Sequence, residues 1–279
     1  MMATEIKIPI NPNPPQPAAA APAGLPIGVT LGQLWTSLLR HAANLTGRQV
    51  RSSAVPAPSL RSLVEPSTTA IITSEVQNGV VGEASALPAL AQAAGPMIKH
   101  LGSLCEAGRR AGVQVIHATA SRRSDGAGSN NNARLFLAVR KSPVALLPGS
   151  HESDVVKELG PEPSDLVLGR LHGLNPMAGT DLDPILRNLG IKTVIVTGVS
   201  VNVAVTNLVM DAVNNGYQVV LPRDAVCGIP AEYAEAVIDN TLALLATLTT
   251  VDELIEAWAP TAQPEPAGHG AETDGNSNV

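Results

Sequence analysis

Between residues 69 and 258, short apolar runs bounded by turn residues alternate with stretches whose apolar positions recur every three or four residues. The runs at 70–73, 113–118, 165–168, 194–197 and 218–221 have the length and β-branched content of buried strands. Helices are predicted at 88–110, where Leu90, Met97, Ile98, Leu101 and Leu104 share a face, and at 181–189, which ends at Gly190. Two more close the segment, at 231–248 and 251–258. The strongest unit is 193–212: an apolar run, a turn through Gly198, and then Val201, Val205, Leu208, Val209 and Ala212 at helical spacing. Strands alternating with helices predict an α/β fold, a three-layer, doubly wound and mainly parallel sheet with helices on both faces and right-handed crossovers. In such a sheet the strand-turn-helix unit presents backbone N–H groups at the carboxyl edge, where ligands bind.

The flanks are of another kind. Residues 1–29 are rich in Pro and Ala and are expected to be a disordered tail, as is the polar segment 261–279. Residues 30–66 are expected to hold an amphipathic helix and a linker. Thr30 can cap the helix, Leu31, Leu34, Trp35, Leu38, Leu39 and Leu45 fall on one face, and Pro56, Pro58 and Pro66 punctuate the linker. That apolar face predicts packing against the chain's own domain, a sister subunit in a homo-oligomer, or a protein partner docked through 31–45. The main domain is placed at 67–260. Within it the polar stretch 121–132, with three consecutive asparagines, reads as a long surface loop at a strand end, a common place for specificity.

Composition narrows the function. A net charge of −6 and only five aromatic residues among 279 give no electrostatic footprint and few stacking surfaces for nucleic acid. Cys105 and Cys227 lack metal or redox spacing and fit a reducing compartment. No apolar stretch reaches the roughly 20 residues of a membrane span, and the amino terminus lacks a signal-peptide pattern. A soluble cytoplasmic protein, with no membrane or nucleic-acid partner, is therefore expected.

Three motifs in order are more specific: Gly-Thr-Asp-Leu-Asp at 179–183, Thr-Gly-Val-Ser-Val-Asn at 197–202, and Asp224-Ala225 closing the next strand. Together with AIITSEVQNGVV from Ala70, they make the chain resemble the isochorismatase-like cysteine hydrolases, which include nicotinamidases, N-carbamoylsarcosine amidases and isochorismatases. The resemblance covers residue 69 to about 258. It implies an Asp after the first strand as proton acceptor, a Lys after the middle strand, and a nucleophilic Cys in the first turn of the helix of the 193–212 unit. A thiol there has a lowered pKa, and helix N–H groups can stabilise the oxyanion formed on attack.

At those positions this chain carries Glu75, Arg170 and Ala204. Glu keeps the carboxylate. Arg keeps the charge but presents a rigid fork. Ala removes the nucleophile. Residues expected to line the same site are Val203, Asn202, Ser200, His172 and Gln77, with an oxyanion-type cradle near Val203 and Ala204. Ser200 and Thr206 are candidate hydroxyl nucleophiles and Cys227 a candidate relocated thiol. Cys105 reads as core, and His117 as a hydrogen-bonded structural histidine. His100, His117, His151 and His172 have no metal-ligand spacing, so neither metal nor cofactor is expected. Three readings result: a degenerate family member acting as a small-molecule-binding or regulatory subunit; an active hydrolase of a small amide, carbamoyl or vinyl-ether substrate using a relocated nucleophile or a water activated by Glu75; and a scaffolding protein assembled through the amino-terminal helix.

Overall fold

The computed structural model describes residues 58–260, so the 31–45 helix and both expected tails lie outside the described residues. In chain order the elements are α1 (Leu60–Leu63), β1 (Thr69–Ser74), α2 (Pro88–Ala111), β2 (Gln114–Ala120), α3 (Arg134–Arg140), β3 (Leu166–Arg170), α4 (Leu182–Asn188), β4 (Thr193–Val199), α5 (Thr206–Asn214), β5 (Gln218–Pro222), β6 (Val226–Cys227), α6 (Ala231–Asn240), β7 (Thr247–Thr249) and α7 (Val251–Trp258). The sheet runs β3-β2-β1-β4-β5-β7, with the short β6 paired to β4. All of its pairings are parallel.

The α/β prediction therefore holds, and the reason lies in the alternation of side chains along each strand. β1 and β4 are buried at every position. Ile71 and Ile195 face one apolar cluster with α2 and α7, through Leu101, Leu104 and Leu254. Ile72, Val194 and Val196 face the other, with α4, α5 and α6, through Leu186, Leu208 and Ile238. A strand buried on both sides needs a continuous apolar run, which is the pattern the sequence shows.

Four features depart from expectation. The first closing helix does not reach 248: it stops at Asn240, a tight turn spans Leu242–Leu244, and Thr247–Thr249 pairs with β5 as β7. An apolar run rich in leucine has no periodicity that separates a buried helix from a short strand, so the outcome depends on the free edge of β5. The 121–132 loop is followed by α3, whose residues are exposed apart from half-buried Phe136. The 165–168 strand extends to Arg170, which closes β3 rather than following it. Finally, the expected linker is packed from Ser59 onward. Ser59 caps α1, Val64 is fully buried, and the Trp258 indole N–H donates to the Val64 carbonyl at 2.9 Å. Thr193 Oγ1 donates to Leu63 O at 2.7 Å, which ties the same segment to the start of β4.

Candidate functional site

The carboxyl edge is assembled where β1 and β4 end side by side. Ser74 is paired with Gly198, and a Cβ on Gly198 would lie 2.3 Å from Ser74 O and 2.8 Å from Ser74 N. Gly198 also has φ +96, so glycine is required twice over, for the backbone approach and for the conformation. Beyond Ser74 the chain turns at Glu75, the one non-glycine residue with positive φ (56°) among the described residues. Backbone held in this sparsely populated region tends to mark functional sites.

That turn delivers Glu75 to Arg170. The two lie on strands separated by β2, and Arg170, paired with Ala120 at the end of β3, reaches past the end of β2 to form an ion pair through Nη2 with the Glu75 carboxylate. Arg170 is the more buried member and Glu75 the more exposed. The structure thus brings together the two charged residues that lie far apart in sequence. Arg170 Nε and Nη1 are buried without a partner among the described residues, and so is Ser74 Oγ at the end of β1.

Gln77, expected to line the site, is instead fully buried, and its amide is committed to main chain. Its Nε2 donates to Ala120 O (3.0 Å) and Ser153 O (2.7 Å), and its Oε1 accepts from the Ala120 N–H (2.8 Å). Gln77 therefore clamps the end of β2 to the 150s segment and positions the site without facing it. Nothing in the sequence signals this, because a glutamine after a strand is equally compatible with solvent exposure.

After β4 the Val199–Ser200 peptide is cis, and a wide π-type turn, Val201–Val205, leads into α5. Ala204 is buried in this turn, and the Val203 side chain is exposed. The Val203 N–H donates to Ser200 O at 3.1 Å, as does the Val205 N–H. One of the two amides expected to form the oxyanion cradle is thus engaged inside the turn. The candidate hydroxyls are engaged as well: Ser200 Oγ donates to Asn202 Oδ1 (3.3 Å), and Thr206 Oγ1 donates to Val201 O (2.6 Å). Asn202 itself donates to Ile229 O at 2.7 Å and sits against Gly228, where a Cβ would come within 2.3 Å of its Oδ1. Asn202 is a brace between two loops.

Cys227 pairs with Val199 through β6 and packs, half-buried, against the α2-side cluster, whereas Val201 and Val205 of the turn pack on the opposite face of the sheet. Burial pushes its thiol above the ordinary value. It is protonated at neutral pH and has no basic partner among the described residues, which is not the environment of an activated cysteine. Cys105 is core, its thiol pushed up to about 12 by burial. His172 is exposed and lies beside Gly179.

His117, fully buried, is hydrogen-bonded as a structural residue. Its Nδ1 pairs with Thr73 Oγ1 (2.9 Å) and its Nε2 with Asp165 Oδ2 (3.2 Å), while Arg109 binds both Asp165 oxygens at 3.1 and 2.7 Å. Burial holds the His117 pKa below its ordinary value. Burial tends to raise the Asp165 pKa, but hydrogen bonds from Arg109 and the Glu162 N–H outweigh it and hold the carboxyl below the usual range. Among the described residues no group of three or more His, Cys, Asp or Glu side chains is placed to hold a metal ion.

The fold defines a class: a doubly wound α/β domain in which β1, β3 and β4 end at one edge of a parallel sheet. The isochorismatase domain model matches residues 69–253, and the chain belongs to that family. It is 26% identical over 216 residues to the ureidoacrylate amidohydrolase RutB of Pseudomonas syringae pv. syringae, covering 72% of this chain and 88% of that protein. Among solved structures it resembles an isochorismatase-like hydrolase from Alkaliphilus metalliredigens, with 27% identity, a TM-score of 0.57 and coverage of 69% of this chain and 97% of the other. The N-carbamoylsarcosine amidase from Thermoplasma acidophilum shares the fold at 22% identity and a TM-score of 0.53, covering 66% and 97%.

Proposed function

We propose that this isochorismatase-family chain binds a small ureido, carbamoyl or amide compound at the carboxyl edge of its sheet and does not hydrolyse it by cysteine chemistry. The observation that carries this reading is Ala204. The first turn after β4 holds a methyl group where the family resemblance puts the thiol, and the nearby Ser200 and Thr206 hydroxyls are already engaged within the turn and with its brace, Asn202. A nucleophile needs a base within hydrogen-bond reach, and the carboxylate available, Glu75, is paired with Arg170. The compound class comes from the relatives, whose names specify ureidoacrylate and N-carbamoylsarcosine.

The test is to incubate the full-length protein with ureidoacrylate, N-carbamoylsarcosine and nicotinamide, following ammonia release alongside binding by calorimetry. Binding without turnover is expected. Ammonia release that Glu75→Gln or Cys227→Ala abolishes would show an active hydrolase and end the non-catalytic reading.

A further inference from the structure

The described part of the protein contains six buried side-chain nitrogen or oxygen atoms without a partner. They belong to Ser74, Arg122, Ser129, Ser150 and Arg170. Ser74 and Arg170 are the last residues of β1 and β3, and the other three lie in the connection that leaves the end of β2. None is on the amino-terminal side of the sheet. Buried donors are normally satisfied, so a cluster of exceptions at one edge calls for an explanation.

The strongest of these is Arg170. It is 6% exposed, its Nη2 is used by Glu75, and its Nε and Nη1 have no protein acceptor. A guanidinium cannot shed its charge at any relevant pH, so it relieves this state only by binding an acceptor. A second guanidinium belongs to the same edge. The Ser121 N–H donates to Arg170 O at 2.9 Å, which sets Arg122 next to the end of β3, and Arg122 Nε is likewise buried and unpartnered.

Resting on the reading of this edge as a ligand site, we propose that Arg170, with Arg122 nearby, receives the carboxylate of a small organic acid. The acid group follows from the donor, since the second Nη2 N–H, together with Nη1 or Nε, still offers two parallel bonds that match a carboxylate. This role differs from that of the lysine expected at this position, which the family resemblance assigns to catalysis.

The experiment measures the affinity of the full-length protein for matched pairs that differ only at the acid group, by calorimetry and ligand-observed NMR: nicotinate against nicotinamide, and 3-ureidopropionate against its amide. A carboxylate preference of about tenfold or more is expected, since charge-assisted hydrogen bonds are roughly twice as strong as neutral ones. Glu75→Gln frees Nη2 and removes the internal competitor, so it should raise the acid-to-amide affinity ratio several-fold. Arg170→Met should erase the preference. If that variant does not fold, Arg122→Met, expected to reduce the preference, and Glu75→Gln still decide. Equal affinity for acid and amide, or a Glu75→Gln protein whose ratio is unchanged, overturns the carboxylate assignment while leaving ligand binding intact. If none of the four compounds binds, both readings fall.

Discussion

Replacing Gly198 by alanine tests how the site is built, because two separable penalties meet at that residue. The first is conformational: φ is +96, and placing an L residue in left-handed backbone costs about 1–2 kcal/mol. The second is steric. The added Cβ would sit 2.3 Å from Ser74 O and 2.8 Å from Ser74 N, main-chain atoms of a central strand that have no rotamer through which to escape. Overpacking of this kind costs about 1–3 kcal/mol, so Gly198→Ala should lose roughly 2–5 kcal/mol in all. Gly112 supplies the control. It has φ +85 with nothing within 4 Å of its would-be Cβ, so Gly112→Ala should show the conformational penalty alone. For a domain of this size about 2–4 °C of melting temperature is lost per kcal/mol, which puts the Gly198 variant roughly 4–20 °C below wild type. Urea unfolding followed by circular dichroism gives the free energies directly. If Gly198→Ala costs no more than Gly112→Ala, β1 and β4 can part at their ends without penalty, and the close approach of Ser74 to Gly198 is not what fixes the site.

Two further outcomes concern the buried polar groups. Because His117 is held below its ordinary pKa near 6.5, the folded state stays neutral where the unfolded state takes up a proton. Its contribution is therefore complete above pH 6.5 and is lost as pH falls below that value, at up to about 1.4 kcal/mol per pH unit. Asp165, also depressed, adds a second loss below about pH 4; urea midpoints between pH 3 and 8 should show both, and His117→Gln should abolish the upper one and reduce the lower one less, because Arg109 and the Glu162 N–H still hold Asp165. Gln77→Ala removes three hydrogen bonds to main chain and leaves the Ala120 N–H and the Ser153 carbonyl buried without those partners. A loss of about 2–4 kcal/mol is expected, with faster amide exchange at Ala120 measured by NMR.

The elements most legible in sequence are those buried on two faces. β1, β4 and β5 read directly from their apolar runs, and α2 and α5 from residues such as Leu101, Leu104, Leu208 and Val209 that recur on one face. The elements that escape a reading of the chain are short and owe their state to a neighbour. β7 exists because β5 has a free edge, and α1 because Leu60, Leu63 and Val64 find the α2–α7 cluster and Trp258. Their local patterns carry too few residues to reveal either partner. The site divides in the same way. Glu75 and Arg170 stand out by their order along the chain, and the structure joins them across a strand. The role of Gln77 as a clamp and the unfilled donors of Arg170 depend on which main-chain groups lie nearby, and no spacing in the sequence encodes that.

The Glu75–Arg170 pair also bears on the entropy of binding. A free arginine side chain carries roughly 2 kcal/mol of rotamer freedom that binding an acid would have to remove. Here the Glu75 carboxylate and the surrounding packing hold the guanidinium in one orientation during folding, before any ligand arrives. The carboxylate proposed above would therefore meet a preorganised receptor and would not have to order it. The protein gives up part of the cation's electrostatic strength for rigidity, an arrangement that favours selective binding over tight binding.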